Sequence, residues 1–210
     1  VLSSISDASG PGSDGFAARL KAVVDGAVHW DTQIAKDPAA LPSGYALVMC
    51  DVDCGSQTVG MVKQVLAWRK ASPPAAARIW ASLQAANEGL AAALASGDEG
   101  AIRAAFAAIR GLIREMGGES GVPIEPQAQT ELLDALGAVE GVVGGVVPGA
   151  GGYDAVALLI RDDEETLARV NGFLREWSAS HDGAVKLLGV KGEMEGLRHE
   201  DSFDYGSWIN

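Results

Sequence analysis

The chain has 210 residues, with 16 basic and 28 acidic side chains and a formal net charge of −12. An apolar content of 48% supports a packed core and excludes wholesale disorder. The acidic balance argues against general nucleic-acid binding and against docking on an anionic membrane, since both need basic side chains to meet phosphates. A pocket for one small phosphorylated ligand needs only a few charges and stays open.

No apolar run reaches the roughly 18 residues of a spanning helix. The best candidate, 142–160, is broken by Pro148, Asp154 and several glycines. The N-terminus lacks the basic start and apolar stretch of a secretory leader. Cys50 and Cys54 do not make a disulfide framework. A reducing, cytoplasmic setting is the expectation. The chain begins at Val1 rather than methionine, so it is expected to be part of something longer.

Residues 1–15 are rich in Ser, Gly, Asp and Pro and read as a flexible arm, with a short helix over 16–25 and an extended connector or strand over 26–43. Gly44–Asp53 is continuously apolar before it ends in carboxylates, which predicts a strand buried on both faces or nearly so. Gly55-Ser56-Gln57-Thr58 then opens a helix over about 57–71, with Val59, Val62, Val65, Leu66 and Trp68 lining its packed side. Pro73-Pro74 forces a break, and an alanine-rich helix follows over 75–96.

Asp98 is a good cap for the next helix. Its apolar stripe runs through Ile102, Ala105, Phe106, Ile109, Leu112, Ile113 and Met116, with Arg103, Arg110 and Arg114 on a different, solvated face. Gly117–Gly121 ends that helix, and Val122-Pro123-Ile124-Glu125-Pro126 is a rigid extended piece with Pro126 at the first position of a helix over 127–138. That helix buries Leu132, Leu133, Leu136 and Val139. Strands follow at 142–147 and 153–161, too close for a helical crossover and therefore antiparallel. A helix over 162–180, a strand over 184–190 and an irregular tail complete the chain. The order predicts an α+β fold with a small, mostly antiparallel four-stranded sheet covered by helices.

Glycine is in excess, 27 residues, and is dense over 137–152. Gly149-Ala150-Gly151-Gly152 lies between two strand-like runs, where successive backbone N–H groups can form an anion-binding nest, with Asp154 beside it. A plain hairpin turn fits the same residues. Asp51–Gly60 puts Ser56 and Thr58 at a strand end and helix start, where the helix dipole favours anions; simple capping fits these two hydroxyls as well. A P-loop is rejected because Met61 and Val62 stand where Lys and Ser/Thr are required. Cys50 and Cys54 lack a nearby histidine, so no zinc site and no other metal site is assigned. His29, His181 and His199 lie far apart with no nucleophile motif, and no hydrolase triad is supported. The glycines do not complete G-x-G-x-x-G, which weakens a Rossmann reading.

Three segments carry a family resemblance. Leu47–Lys63, with its Met-Cys-Asp-Val and Gly-Ser-Gln-Thr-Val-Gly-Met-Val, is similar to one segment of the fungal phosphomevalonate kinases. Ser120–Pro126, then Gln129-Thr130 and Leu132-Leu133-Asp134, resembles the segment that follows. Gly145–Ala155 resembles the C-terminal glycine motif of the GHMP kinase superfamily. The resemblance implies a GHMP kinase C-terminal-like domain over 41–210, preceded by an arm and connector over 1–40. It implies transfer of the ATP γ-phosphate to 5-phosphomevalonate, with Mg²⁺, in isoprenoid and sterol synthesis. Gly149, Ala150, Gly151 and Gly152 would support the phosphate end of the site, and Ser56, Thr58 and Asp154 would face phosphomevalonate. The P-x-x-x-G-L-G-S-S-A loop of the superfamily is absent from the sequence, and no catalytic residue is carried over. The expectation is a half-enzyme, inactive and without tightly bound ATP or Mg²⁺ until joined to an N-terminal kinase domain, with an exposed face open to homodimerisation. The alternative is a non-catalytic binding or interaction domain of the same fold.

Overall fold

The computed structural model describes residues 41–52, 58–181 and 183–190, together with Ala18 and Lys21. Contacts divide the chain into two units, Val1–Pro38 and Ala39–Asn210, and every strand and helix named below lies in the second. The arm, the connector up to residue 40 and the tail after 190 lie outside the described residues, as does the helix over 16–25 apart from Ala18 and Lys21, which are both helical.

The elements are β1 (Tyr45–Val52), α1 (Thr58–Ala71), α2 (Pro73–Ser96), α3 (Glu99–Ser120), α4 (Gln127–Gly137), β2 (Val142–Val146), β3 (Ala155–Arg161), α5 (Glu164–Ser180) and β4 (Val185–Leu187). This is the order the apolar patterning predicts, and the fold is α+β. The sheet runs β2-β3-β1-β4 with every pairing antiparallel. β2 and β3 are neighbours, as their short connection requires, with a register shift between Val142 and Gly144. At Gly144 an added Cβ would lie 2.4 Å from the Phe106 ring, so the missing side chain lets β2 sit directly on α3.

Helices cover both faces. On one face Val48, Cys50, Val156, Leu158 and Ile160 pack against Leu132, Leu133 and Leu136 of α4 and Val170 and Leu174 of α5. On the other, Val143 and Leu159 pack against Ala93, Ile102 and Phe106 of α2 and α3. A third cluster, with Trp68, Ile79, Met116, Val122 and Ile124, joins α1, α2 and α3 to the segment before α4. Burial within the first cluster pushes the Cys50 thiol up to about 12, so it behaves as a small apolar side chain.

Helix termini follow local chemistry. The Asp98 carboxylate accepts from the Ala101 N–H at 3.0 Å and opens α3; Asp163 does the same for Thr166 at 2.7 Å and opens α5. Pro73-Pro74 occupy the first turn of α2, where missing N–H groups cause no loss.

Five expectations need correction. β1 is not buried on both faces: Val48 and Cys50 are buried, while Leu47 on the opposite face is 46% exposed, because α2 and α3 pack over Val143 and Leu159 there and reach β1 at Tyr45. α1 packs through Met61, Val65 and Trp68, and leaves Val59 69%, Val62 45% and Leu66 46% exposed on its other side. Gly117 and Gly118 do not end α3, which runs to Ser120 and stops at Gly121 with φ 69°; Gly117 instead lets the Val122 carbonyl approach, where a Cβ would meet that oxygen at 2.9 Å. Pro126 is the extended cap before α4, not its first helical residue. Arg110 does not lie on a solvated face: its side chain is 12% exposed and pairs with buried Glu125.

Candidate functional site

Two parts of the chain far apart in sequence are joined at the end of the sheet. β1 finishes at Val52, whose N–H donates to the Asp154 carbonyl at 2.8 Å. This bond holds the end of β1 against the residue that precedes β3. Thr58 is the first residue of α1, a 14-residue helix with no acidic residue in its first turn to oppose an anion.

Between β2 and β3 the chain passes through Val147–Asp154. Gly149, Gly151 and Gly152 have φ of 63°, 77° and 103°, the left-handed region that glycine enters without penalty. The Gly151 N–H donates to the Pro148 carbonyl at 3.1 Å and closes a turn; the Gly152 N–H donates to the Ile124 carbonyl at 2.8 Å and ties the loop to the segment before α4. A Cβ at Gly151 would lie 2.2 Å from the Ile124 oxygen, whereas one at Gly149 meets nothing within 4 Å. Gly151 is therefore required for space and conformation, Gly149 for conformation alone.

Thr58, Pro148, Gly149, Ala150, Gly151, Asp154 and Ala155 line one cavity of about 350 Å³. The hydroxyl-bearing corner and the glycine loop thus meet around a single space. Ser56 lies outside the described residues. Gly152 is buried and is not part of the cavity wall. Gly151 and Gly152 donate inward, and among the described residues no acceptor meets the Gly149 and Ala150 N–H groups. These are fewer than a fully open glycine nest presents. Among the described residues the buried Asp154 Oδ1, an acceptor beside the cavity, has no hydrogen-bond partner. Among the described residues no group of three or more His, Cys, Asp or Glu side chains could hold a metal ion.

Sequence reasoning missed the floor of the loop. Gln129, 2% exposed, donates from Nε2 to the Tyr153 carbonyl at 2.9 Å. Glu125, between two prolines, has a side chain with no exposure and receives Arg110 and Arg114. Gln129 carried two signals, a polar residue inside an apolar helical stripe and a place in the second family-like segment; nothing in the periodicity of α3 marks Arg110.

No family model matches the chain. It is 56% identical over 95% of its length to phosphomevalonate kinase of Gibberella zeae, 43% over its whole length to that of Aspergillus fumigatus, and 32% over 90% to that of Candida albicans. The chain is thus similar in sequence to the fungal phosphomevalonate kinases. It spans about half the length of these relatives: 45%, 47% and 46% respectively. A peroxisomal phosphomevalonate kinase of Arabidopsis thaliana is 48% identical over 30% of the chain.

Solved structures share the fold. L. major mevalonate kinase in complex with R-mevalonate has a TM-score of 0.56 at 13% identity, covering 67% of this chain and 40% of that one. A Lin0012 protein from Listeria innocua has a TM-score of 0.55 at 19% identity, covering 69% and 41%. The α+β architecture expected from the sequence is thus the architecture found, and these solved structures share it. No described helix is long and apolar enough to cross a membrane.

Proposed function

We propose that the chain forms the substrate side of a phosphomevalonate kinase, which transfers the γ-phosphate of ATP to 5-phosphomevalonate to give 5-diphosphomevalonate. The observation that carries this reading is the 56% identity to the Gibberella zeae enzyme over 95% of the chain. The cavity supports it chemically. Phosphoryl transfer depends on holding phosphates in place and stabilising their charge, and the equipment for that is backbone N–H groups, hydroxyls and helix N-termini. Gly149 and Ala150 offer their N–H groups, Thr58 its hydroxyl and the start of α1, and Ser56 belongs to the same corner of the sequence. Gly151 and Gly152 hold the loop in shape from within. Asp154 supplies an acceptor to a substrate hydroxyl.

ATP and Mg²⁺ do not fit the residues of this chain. The superfamily's ATP loop is missing from the sequence, and among the described residues the cavity wall carries a single carboxylate, too few ligands to hold a metal ion. Both belong with an N-terminal kinase domain, and the chain alone is inactive because positioning and proton transfer are each worth several powers of ten. Calorimetric titration tests this reading. The expected result is weak binding of 5-phosphomevalonate, no binding of Mg-ATP and no turnover. Efficient turnover by the 210-residue chain contradicts it.

A second reading, a non-catalytic interaction domain, draws on the apolar stripe Val59, Val62 and Leu66, spaced to lie on one side of α1 and exposed. In either reading this stripe is an interface, against an N-terminal kinase domain or a second copy. Sedimentation of the chain alone is expected to show a concentration-dependent dimer. A strict monomer at high concentration removes the homodimer.

A further inference from the structure

The segment Val122–Pro126 belongs to no helix and no strand, yet it is the surface on which the glycine loop rests. Its own backbone bonds are few. The Val122 N–H donates to the Gly117 carbonyl at 3.1 Å and the Ile124 N–H to the Val122 carbonyl at 2.8 Å. Pro123 and Pro126 have no N–H to give. What fixes the segment in addition is the Glu125 side chain, fully buried.

The Glu125 carboxylate is held from three sides. Arg110 approaches through Nε at 3.1 and 3.2 Å to the two oxygens, and through Nη2 at 2.7 Å to Oε1. Arg114 Nη1 reaches Oε1 at 2.8 Å, and the Thr130 hydroxyl donates to it at 3.0 Å. Arg110 is itself braced, with Nη1 at 2.7 Å from Asp134 Oδ1 and Nη2 at 3.3 Å from the Thr130 carbonyl. The planar guanidinium thus ties α3, α4 and the intervening segment into one unit. A lysine ammonium cannot make the same set of bonds. Buried ion pairs are weak contributors to net stability compared with apolar packing. Their advantage here is directional: they define where the adjoining Ile124 carbonyl stands. That carbonyl accepts from the Gly152 N–H at 2.8 Å and lies where a Gly151 Cβ would be.

We propose that Arg110 is a positioning residue: through Glu125 it sets the Ile124 carbonyl, and with it the placement of the Gly149 and Ala150 N–H groups toward a bound phosphate. The inference rests on the reading of this cavity as the phosphomevalonate side of a kinase.

The test is Arg110→Lys in the 210-residue chain, read by amide exchange and by titration with 5-phosphomevalonate. A core variant of matched stability, Val170→Ala, is the control. Gly152 is expected to lose about tenfold or more protection beyond any loss at the β1 and β3 amides, because the opening is local rather than global. Affinity for 5-phosphomevalonate is expected to fall by about tenfold, while Val170→Ala leaves it unchanged. Protection at Gly152 that merely tracks the core in Arg110→Lys overturns the proposal. So does an equal loss of affinity in the control. Thr130→Val, which removes a single bond to Glu125, is expected to shift both readouts in the same direction by less and serves if the lysine variant fails to fold; unchanged Gly152 protection in that variant also overturns it. Failure of the unaltered chain to bind 5-phosphomevalonate counts against the kinase reading alone, since the exchange experiment decides the positioning role without a ligand.

Discussion

Gly149 and Gly151 lie two residues apart in one loop and answer to different constraints. Gly149 has φ 63° and open space around its missing Cβ, so Gly149→Ala is expected to cost about 1–2 kcal/mol, the strain of a left-handed alanine. Gly151 has φ 77° and the Ile124 oxygen in the way, so Gly151→Ala adds a steric clash to the same strain and is expected to be the more damaging. Urea unfolding of the two variants checks the order, and equal midpoints contradict it. A second residue-scale prediction concerns Glu99, which the Arg161 guanidinium, with further help from Arg103 and Tyr45, holds below the ordinary carboxylate range against a smaller opposing effect of burial. A carboxylate depressed in the folded state stabilises above its unfolded pKa, and that contribution disappears as the pH falls through the folded value. The difference in urea midpoint between the native chain and Glu99→Gln is therefore expected to shrink on acidification; a pH-independent difference contradicts the assignment. The glycines were legible because left-handed backbone concentrates glycine in composition. Arg110 was not, because helical spacing sorts it to the polar face and its partner Glu125 arrives from another segment.

At the scale of elements, α4 joins the sheet to the loop. Leu132 and Leu136 are buried against β1 and β3, and Gln129 of the same helix supports Tyr153. Leu132→Ala is expected to lower stability by about 2–5 kcal/mol, the range for a buried leucine cavity, read as a shift in chemical unfolding. A change within about 0.5 kcal/mol, as for a surface site, contradicts the packing described. α1 gives the opposite case. Replacing Val59, Val62 and Leu66 by serine is expected to leave stability close to that of the native chain while lowering self-association, because the three side chains are exposed. The period of α1 was enough to find the helix. It was not enough to choose its packed face, since valine, leucine, methionine and tryptophan are spread nearly all round it. For β1 the apolar run by itself predicts a strand buried on both faces or nearly so, and only the placement of α2 and α3 over β2 and β3 decides that Leu47 stays exposed.

For the whole molecule, the sequence order of strands and helices was readable from periodicity and turn chemistry, and antiparallel pairing of β2 and β3 from their short connection. The strand order β2-β3-β1-β4 and the meeting of Thr58 with the glycine loop were not, because they depend on pairings between residues far apart in the chain. The family resemblance supplied the expectation that those two corners serve one ligand, and the cavity they share is what that expectation needs. The most direct measurement is a titration of the isotope-labelled chain with 5-phosphomevalonate, following the amide signals of Thr58, Gly149 and Ala150. The account predicts that all three move together and saturate at one ligand concentration. Movement at only one corner, or saturation at separate concentrations, contradicts a shared phosphate site.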